Sequence, residues 1–487
     1  MSYPSDPSSA PPSLPPASRA GSRVPLWLPI AAGIAVVAVA TLVVVMLAGD
    51  NTKSATTTST VVAGSTTTTT APTTTTTAPT TTTTTSGQAA GGSWTVLVYG
   101  LGDNNLEADL LDDLDEMAAV PAGALEFVAL VDRTPDYTDQ AVTGIGDWDG
   151  AKVIAITPGT FTEEADLGEL DLGDPQVLTD FVTRGIQDHP ADHYALILWD
   201  HGSIAGVGSD ESSGDGLDVP EIAAAVRAGL DAAGTARLDL LGFDACLMGA
   251  FEVASAMPGL AEYMVASEEV EPNDGWDYGA FDLIAAQPDT VTARSLGEEV
   301  VSRYIATSGP SDPTVTMSLL DLTAVPDLVA ALDGLNGAVA PQMATFAPEI
   351  GRGRNNAPSF GGSPVPEEDF YMVDLGDLLR RLGNQEPPLG DAATAALEVF
   401  DRVVVSSAAG EAASAATGMA IHFPPYSDYY YENWYRAIEA PVWPDFLDAY
   451  YSAGAEIPAD KRPSFAPIDN QASFYFDEYG LSVEATF

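Results

Sequence analysis

Cysteine occurs once in these 487 residues, as Cys246, and histidine only four times. One cysteine permits no disulfide within the chain, so whatever folds here must be held by its own packing. Cationic side chains are scarce as well: 18 Lys and Arg stand against 70 Asp and Glu, a formal net charge of −52. Nucleic-acid binding needs a cationic footprint, and this sequence supplies none. A field of that sign repels anionic partners and favours basic peptides or divalent cations, although solubility or adaptation to salt accounts for the same composition. No internal repeat is evident, and nothing in the residues demands a cofactor.

What is present begins with one apolar run. Val24–Gly49 has Thr41 as its only conventional polar side chain, and it is long enough to cross a hydrocarbon layer of about 30 Å. Arg19 and Arg23 precede it and Asp50 follows, so the positive-inside rule places residues 1–23 in the cytoplasm. A cleavable signal peptide would have a shorter core, about 7–15 residues. A retained single-pass anchor at 24–49 is therefore expected, with the remainder outside the cell. Residues 50–92 are threonine runs broken by Ala-Pro. They hold too little apolar surface to offset their ordering entropy and read as a disordered stalk, of a composition that suits O-glycosylation. Residues 93–455 form the expected folded domain, and 456–487 a tail of unassigned role.

Short apolar runs alternate with amphipathic stretches from Trp94 onward. Strands are expected at Trp94–Tyr99, Leu125–Val131, Ala151–Ile156, His193–Trp199, Leu238–Phe243, Tyr263–Ser267 and Val315–Leu320, with a late one at Met419–Pro424. Helices are expected at Asn104–Val120, with Asp103 or Asn104 as cap, and at Val177–Ile186, Pro220–Ala233 and Val291–Thr307. Residues 340–370, rich in Gly, Pro and Asn, read as loop. The alternation implies an α/β fold with a mostly parallel sheet flanked by helices. Ligands bind such sheets beyond the carboxyl ends of the strands. Two of those ends lead into chemistry: the run Tyr194–Trp199 into Asp200-His201-Gly202, and Leu238–Phe243 into Asp244-Ala245-Cys246. A thiol and an imidazole at neighbouring strand ends suggest a cysteine hydrolase.

Five segments together resemble the clostripain-like cysteine peptidases. They are Trp94–Tyr99 with Asp103-Asn104-Asn105-Leu106-Glu107, then Leu198–Ser203, Asp244–Gly249, Ala266–Pro272 and Gly418–Pro424, in that order along most of 94–450. The resemblance implies a caspase-like fold, shared with gingipains and legumains, and a C-terminal extension. It implies Cys246 as nucleophile, His201 as proton carrier, and the N–H groups of Gly202 and Cys246 as oxyanion hole. It further implies Asp244 as the carboxylate that selects Arg, less surely Lys, on the substrate. The other reading of Asp244 is a helix cap for the segment beginning near Leu247. Ser267 and Trp276 are expected to wall the pocket. Adjacent strand residues face opposite ways, so Asp200 is not expected to orient His201 directly.

Ser203–Val219 holds no Lys or Arg, and only Arg227 and Arg237 lie between His201 and Cys246. Self-cleavage in this interval is therefore not expected. Asp210, Glu211, Asp215 and Asp218 offer oxygen ligands for Ca²⁺, but their spacing matches no EF-hand, and a merely solvated loop is the alternative. The function expected overall is a membrane-anchored extracellular cysteine endopeptidase acting on basic peptides or proteins. The alternatives are a catalytically idle binding module on the same fold, or a transpeptidase or ligase.

Overall fold

The computed structural model describes residues 91–363, 369–430, 441–456, 472–477 and 480–485. The expected anchor at 24–49, and all of the stalk but 91–92, lie outside them. Among the described residues no helix is long and apolar enough to cross a membrane.

The centre is a nine-stranded sheet. Its middle holds β1 (Trp94–Gly102), β2 (Leu125–Arg133), β5 (His193–Trp199), β9 (Leu238–Asp244) and β10 (Ala261–Ala266). These five run parallel in the spatial order β10-β9-β5-β1-β2. Antiparallel strands close both flanks: β3 (Ala151–Thr157) and β4 (Thr160–Gly168) beside β2, β11 (Thr316–Asp321) and β14 (Val404–Ala409) beside β10.

The parallel strands read as unbroken apolar runs because both of their faces are covered. Val96 and Val98 of β1 share one core with Ala195 and Ile197 of β5, under α1 (Glu107–Ala119) and α6 (Ala293–Ser308). Leu97, Tyr99, Leu196 and Leu198 share the other, under α2 (Pro175–Asp188) and α3 (Val219–Ala233). Local signals set the helix starts. Asp174 caps α2 ahead of Pro175, and Asp218 and Glu221 form a reciprocal capping box on α3.

Two expectations need correction. The first helix starts at Glu107, with no side-chain cap; Asn104 instead accepts from the Leu106 N–H at 2.8 Å, closing the turn before it. Residues 340–370 are not all loop, since Met343–Asn356 is helix α8. It buries Met343, Phe346, Ala347 and Ile350 at helical spacing, and that packing outweighs its Pro348 and two glycines. The late strand β15 (Ala420–His422) joins a separate three-stranded sheet with β12 (Ser359–Phe360) and β13 (Met372–Asp374). Past residue 458, strands β16 (Ala472–Asp477) and β17 (Gly480–Ala485) pair as an antiparallel hairpin.

Candidate active site

The ends of β5 and β9 are held together where the chemistry would lie. Trp199 pairs with Asp244 across the ladder, and the Asp200 N–H donates to the Asp244 carbonyl at 3.3 Å. Past this point β5 gives His201, and β9 gives Ala245 and Cys246. Asp200 is buried, and its carboxylate is held by backbone and amide donors. It accepts from the Asn104 amide at 2.9 Å and from the Ser209 N–H at 2.6 Å. It thereby fastens the strand end to a small antiparallel sheet of β6 (Gly202–Ser203), β7 (Gly206–Asp210) and β8 (Asp215–Asp218).

The partner of His201 is Asn105, whose side-chain oxygen lies 2.9 Å from Nε2. An amide oxygen can only accept, so it fixes the tautomer protonated at Nε2 and leaves Nδ1 free for proton chemistry. Asn105 stands three residues past the end of β1, in the segment Asp103–Glu107, and that place is its signal in the sequence. Burial lowers the imidazole to a pKa of about 4, so it rests neutral.

Gly202 and Cys246 lie backbone against backbone. A Cβ on Gly202 would stand 2.5 Å from the Cys246 carbonyl oxygen and 2.9 Å from its nitrogen, so only glycine fits. The Gly202 N–H is directed at the Cys246 sulfur, and the Glu271 N–H donates to it at 3.3 Å. The next residue, Leu247, has a φ of 62°, a left-handed conformation that costs a branched residue energy. Its N–H donates to the Glu269 carbonyl and its side chain is buried, which holds the turn in place. Cys246 keeps part of its surface open. Burial first, then the Glu271 carboxylate, push its thiol up to about 12 against the pull of the two N–H groups. Thiol and imidazole are thus both neutral at rest.

Beside the thiol lies a buried acidic group. Asp244 accepts from the Tyr278 hydroxyl at 2.9 Å and the Trp276 N–H at 3.3 Å, and caps no helix. Asp113, reaching in from α1, accepts from the Trp199 indole at 2.6 Å. A Cβ on Gly275 would stand 3.1 Å from an oxygen of each, so this glycine separates the two carboxylates. Glu271 is the third member. Its carboxylate faces the Ala245 N–H and the Trp276 indole, but neither makes a hydrogen bond of ordinary geometry, and both its oxygens are buried and unsatisfied. Burial, and then mutual repulsion, raise Asp113 and Glu271 well above the usual carboxylate range; Asp244 is raised chiefly by burial. Among the described residues no Lys or Arg pairs with any of the three. Sequence reasoning had named only Asp244, because Asp113 and Glu271 come from distant segments.

Trp276 is buried in the core, its ring packed over Gly242 and its backbone N–H donating to Asp244. Ser267 serves the framework instead: its hydroxyl bonds to the Glu269 carbonyl and to Thr316. In the acidic loop, Asp210 accepts from the Leu172 and Ser213 N–H groups, Glu211 from the Tyr137 hydroxyl, Asp215 from Gly216, and Asp218 caps α3. Among the described residues, the acidic side chains close enough to share an ion are others: Asp103, Asp132 and Glu169.

The model of the clostripain family matches residues 98–375, more than half of the chain. The chain belongs to the clostripain family. Clostripain of Hathewaya histolytica is 27% identical over 419 residues, which cover 72% of this chain and 78% of the relative. Two solved structures share the fold. A secreted C11 cysteine protease from Bacteroides thetaiotaomicron, in complex with an irreversible peptide inhibitor, superposes with a TM-score of 0.54 at 19% identity, over 74% of this chain and 99% of its own. An inactive zymogen C11 protease from Parabacteroides distasonis gives 0.52 at 17%, over 72% and 99%. This member of the clostripain family is a cysteine endopeptidase.

Proposed function

We propose that the protein hydrolyses peptide bonds after arginine, and less readily after lysine, through a thioester on Cys246. As Sγ attacks the scissile carbonyl carbon, its proton passes to His201. The oxygen that gains the negative charge is held by the N–H groups of Gly202 and Cys246. Collapse of the tetrahedral species breaks the C–N bond, and the leaving amine takes the proton from His201. Water then attacks the thioester carbonyl, giving its proton to His201, and the thiol leaves reprotonated.

The observation that carries the specificity is the unpaired group Asp113, Asp244 and Glu271 beside the thiol. Three buried carboxylates without a cation are costly, and a guanidinium satisfies them with charge and hydrogen bonds together. The same cation offsets the carboxylate field that holds the thiol proton on, so a basic substrate favours its own attack. We place this chemistry outside the cell, on a chain anchored by Val24–Gly49, because of the apolar run and the two arginines before it.

The test sets the full chain beside Cys246→Ala and Asp244→Asn, with fluorogenic peptides bearing Arg, Lys, Asn or Asp before the scissile bond. Turnover of the Arg peptide should vanish in Cys246→Ala and fall at least ~100-fold in Asp244→Asn, as expected when one partner of a buried charge pair is lost. Cleavage only after Asn or Asp would overturn the specificity and leave the enzyme. A folded wild type that turns over none of the four would overturn the peptidase reading of these residues.

A further inference from the structure

We infer that Glu269 is a positioning residue for Cys246, a role that rests on the peptidase reading above. Its carboxylate ties the segment behind the thiol to Gly361, at the end of β12.

Backbone groups hold the turn that carries the nucleophile. Residues 267–271 run back along residues 246–249. The Gly249 N–H donates to the Ser267 carbonyl at 2.6 Å, the Leu247 N–H to the Glu269 carbonyl at 3.2 Å, and the Glu271 N–H to the Cys246 sulfur at 3.3 Å. The turn needs such support, because Leu247 is held at a φ of 62°. The start of the segment has its own anchors. The Glu268 and Glu269 N–H groups each donate to the Thr316 hydroxyl at 3.0 Å, and the Glu268 carboxylate accepts from the Gly418 N–H at 2.9 Å.

Beyond that start, Glu269 Oε1 accepts from the Val270 N–H at 2.9 Å and from the Gly361 N–H at 2.8 Å. The first bond folds the side chain onto its own segment, and the second fastens that segment to a distant one. Gly361 also touches the turn. A Cβ there would stand 3.0 and 3.1 Å from the two Leu247 methyl groups, and its φ of 60° suits glycine. Leu247 is thus gripped from two sides, its N–H by the Glu269 carbonyl and its side chain by Gly361, while the Glu269 carboxylate keeps the two grips together. Without that oxygen the segment 269–271 is free to part from Gly361, and the Glu271 N–H moves with it. Glu269 acts through Leu247 and Glu271, so it positions the thiol and is not a catalytic residue.

The test uses the full chain. It measures kcat and KM on whichever of the four fluorogenic peptides is cleaved fastest, and the rate at which iodoacetamide labels Cys246 without substrate, well below the melting temperature. Glu269→Ala should lower kcat about tenfold or more with KM little changed, since a misplaced reacting atom costs rate and not binding. It should also label about threefold faster or more, because burial is the first cause of the thiol's high pKa and a loosened turn exposes the sulfur. Glu269→Gln keeps the accepting oxygen and should restore both to near wild type. Should Glu269→Ala fail to fold, Gly361→Ala probes the same contact from the other side, since its Cβ presses on Leu247 and should change kcat and labelling in the same directions. Labelling needs no turnover, so a wild type that cleaves none of the peptides ends the peptidase reading and still decides the role of Glu269. Wild-type kcat and labelling in Glu269→Ala, or in Gly361→Ala where only that variant folds, would overturn it. So would a Glu269→Gln as impaired as the alanine variant.

Discussion

Replacing Gly202 by alanine adds one methyl group where two backbones meet. That Cβ would stand 2.5 Å from the Cys246 carbonyl oxygen, 2.8 Å from the Ala245 Cβ and 2.9 Å from the Cys246 nitrogen. None of these is the end of a flexible side chain, so β5 and β9 must part. Crowding of this kind costs about 1–3 kcal/mol of stability. The parting displaces the two N–H groups assigned to the oxyanion, and misplacing one such donor costs about 10²–10³ in rate. Gly202→Ala should therefore fold, with a denaturant midpoint lowered in keeping with that stability loss. Its kcat should fall about 100-fold or more on an Arg peptide, with KM little changed, because the lost contact is made only in the transition state. Gly334→Ala is the control. Gly334 lies in helix α7 (Val325–Val339) with nothing within 4 Å of an added Cβ, so it should keep full activity and gain about 0.4–1 kcal/mol. Gly202→Ala with wild-type kcat would refute the oxyanion assignment, and one with a wild-type midpoint would refute the packing argument.

Asn105→Asp would place a carboxylate against His201 Nε2, which favours the imidazolium and lifts its pKa from about 4 toward the ordinary value. The acidic limb of kcat/KM should move up by about one pH unit or more; an unmoved limb would exclude His201 as the proton carrier. Glu252, buried and raised to about 7 by burial, has one oxygen unsatisfied and the other on the His422 N–H. A carboxyl group raised in the fold stabilises fully below its unfolded pKa, and that stability is lost as pH rises through the folded value. Glu252→Gln should match wild type near pH 4.5 and exceed it by about 1–3 kcal/mol at pH 8; a difference that does not vary with pH would refute this. Purified active protein should carry no internal break at Arg227, which sits in α3, or at Arg237, which precedes β9. A stoichiometric cut at either, absent from Cys246→Ala, would overturn that.

The five parallel strands were legible because each is buried on both faces and so reads as an uninterrupted apolar run. Their carboxyl ends led to His201 and Cys246. The outer strands were harder. The run Thr160–Gly168 of β4 is polar and almost wholly exposed, so it carries no hydrophobic period to detect. Helix α8 was missed because proline and glycine weigh against it locally, while its stability comes from a buried face known only after folding. At the site, Asp244 was named through its place beside the nucleophile. Asp113 and Glu271 join it from α1 and from the segment after β10, and no spacing rule links residues so far apart. The same holds for Asp132 and Glu169, whose pairing with Asp103 depends on strand order.

A thiol held near 12 has chemical consequences when no substrate is present. Alkylating agents and oxidants react with thiolate, and at pH 7.4 only on the order of one Cys246 in 10⁴–10⁵ would be ionised, against about one in ten for an ordinary cysteine. Small uncharged electrophiles such as iodoacetamide should therefore label it slowly. Reagents that carry a guanidinium bring the counter-charge with them and should label it fast. The residue is in effect stored under a chemical lock, and a covalent inhibitor gains its selectivity from the cation it presents more than from the reactivity of its warhead.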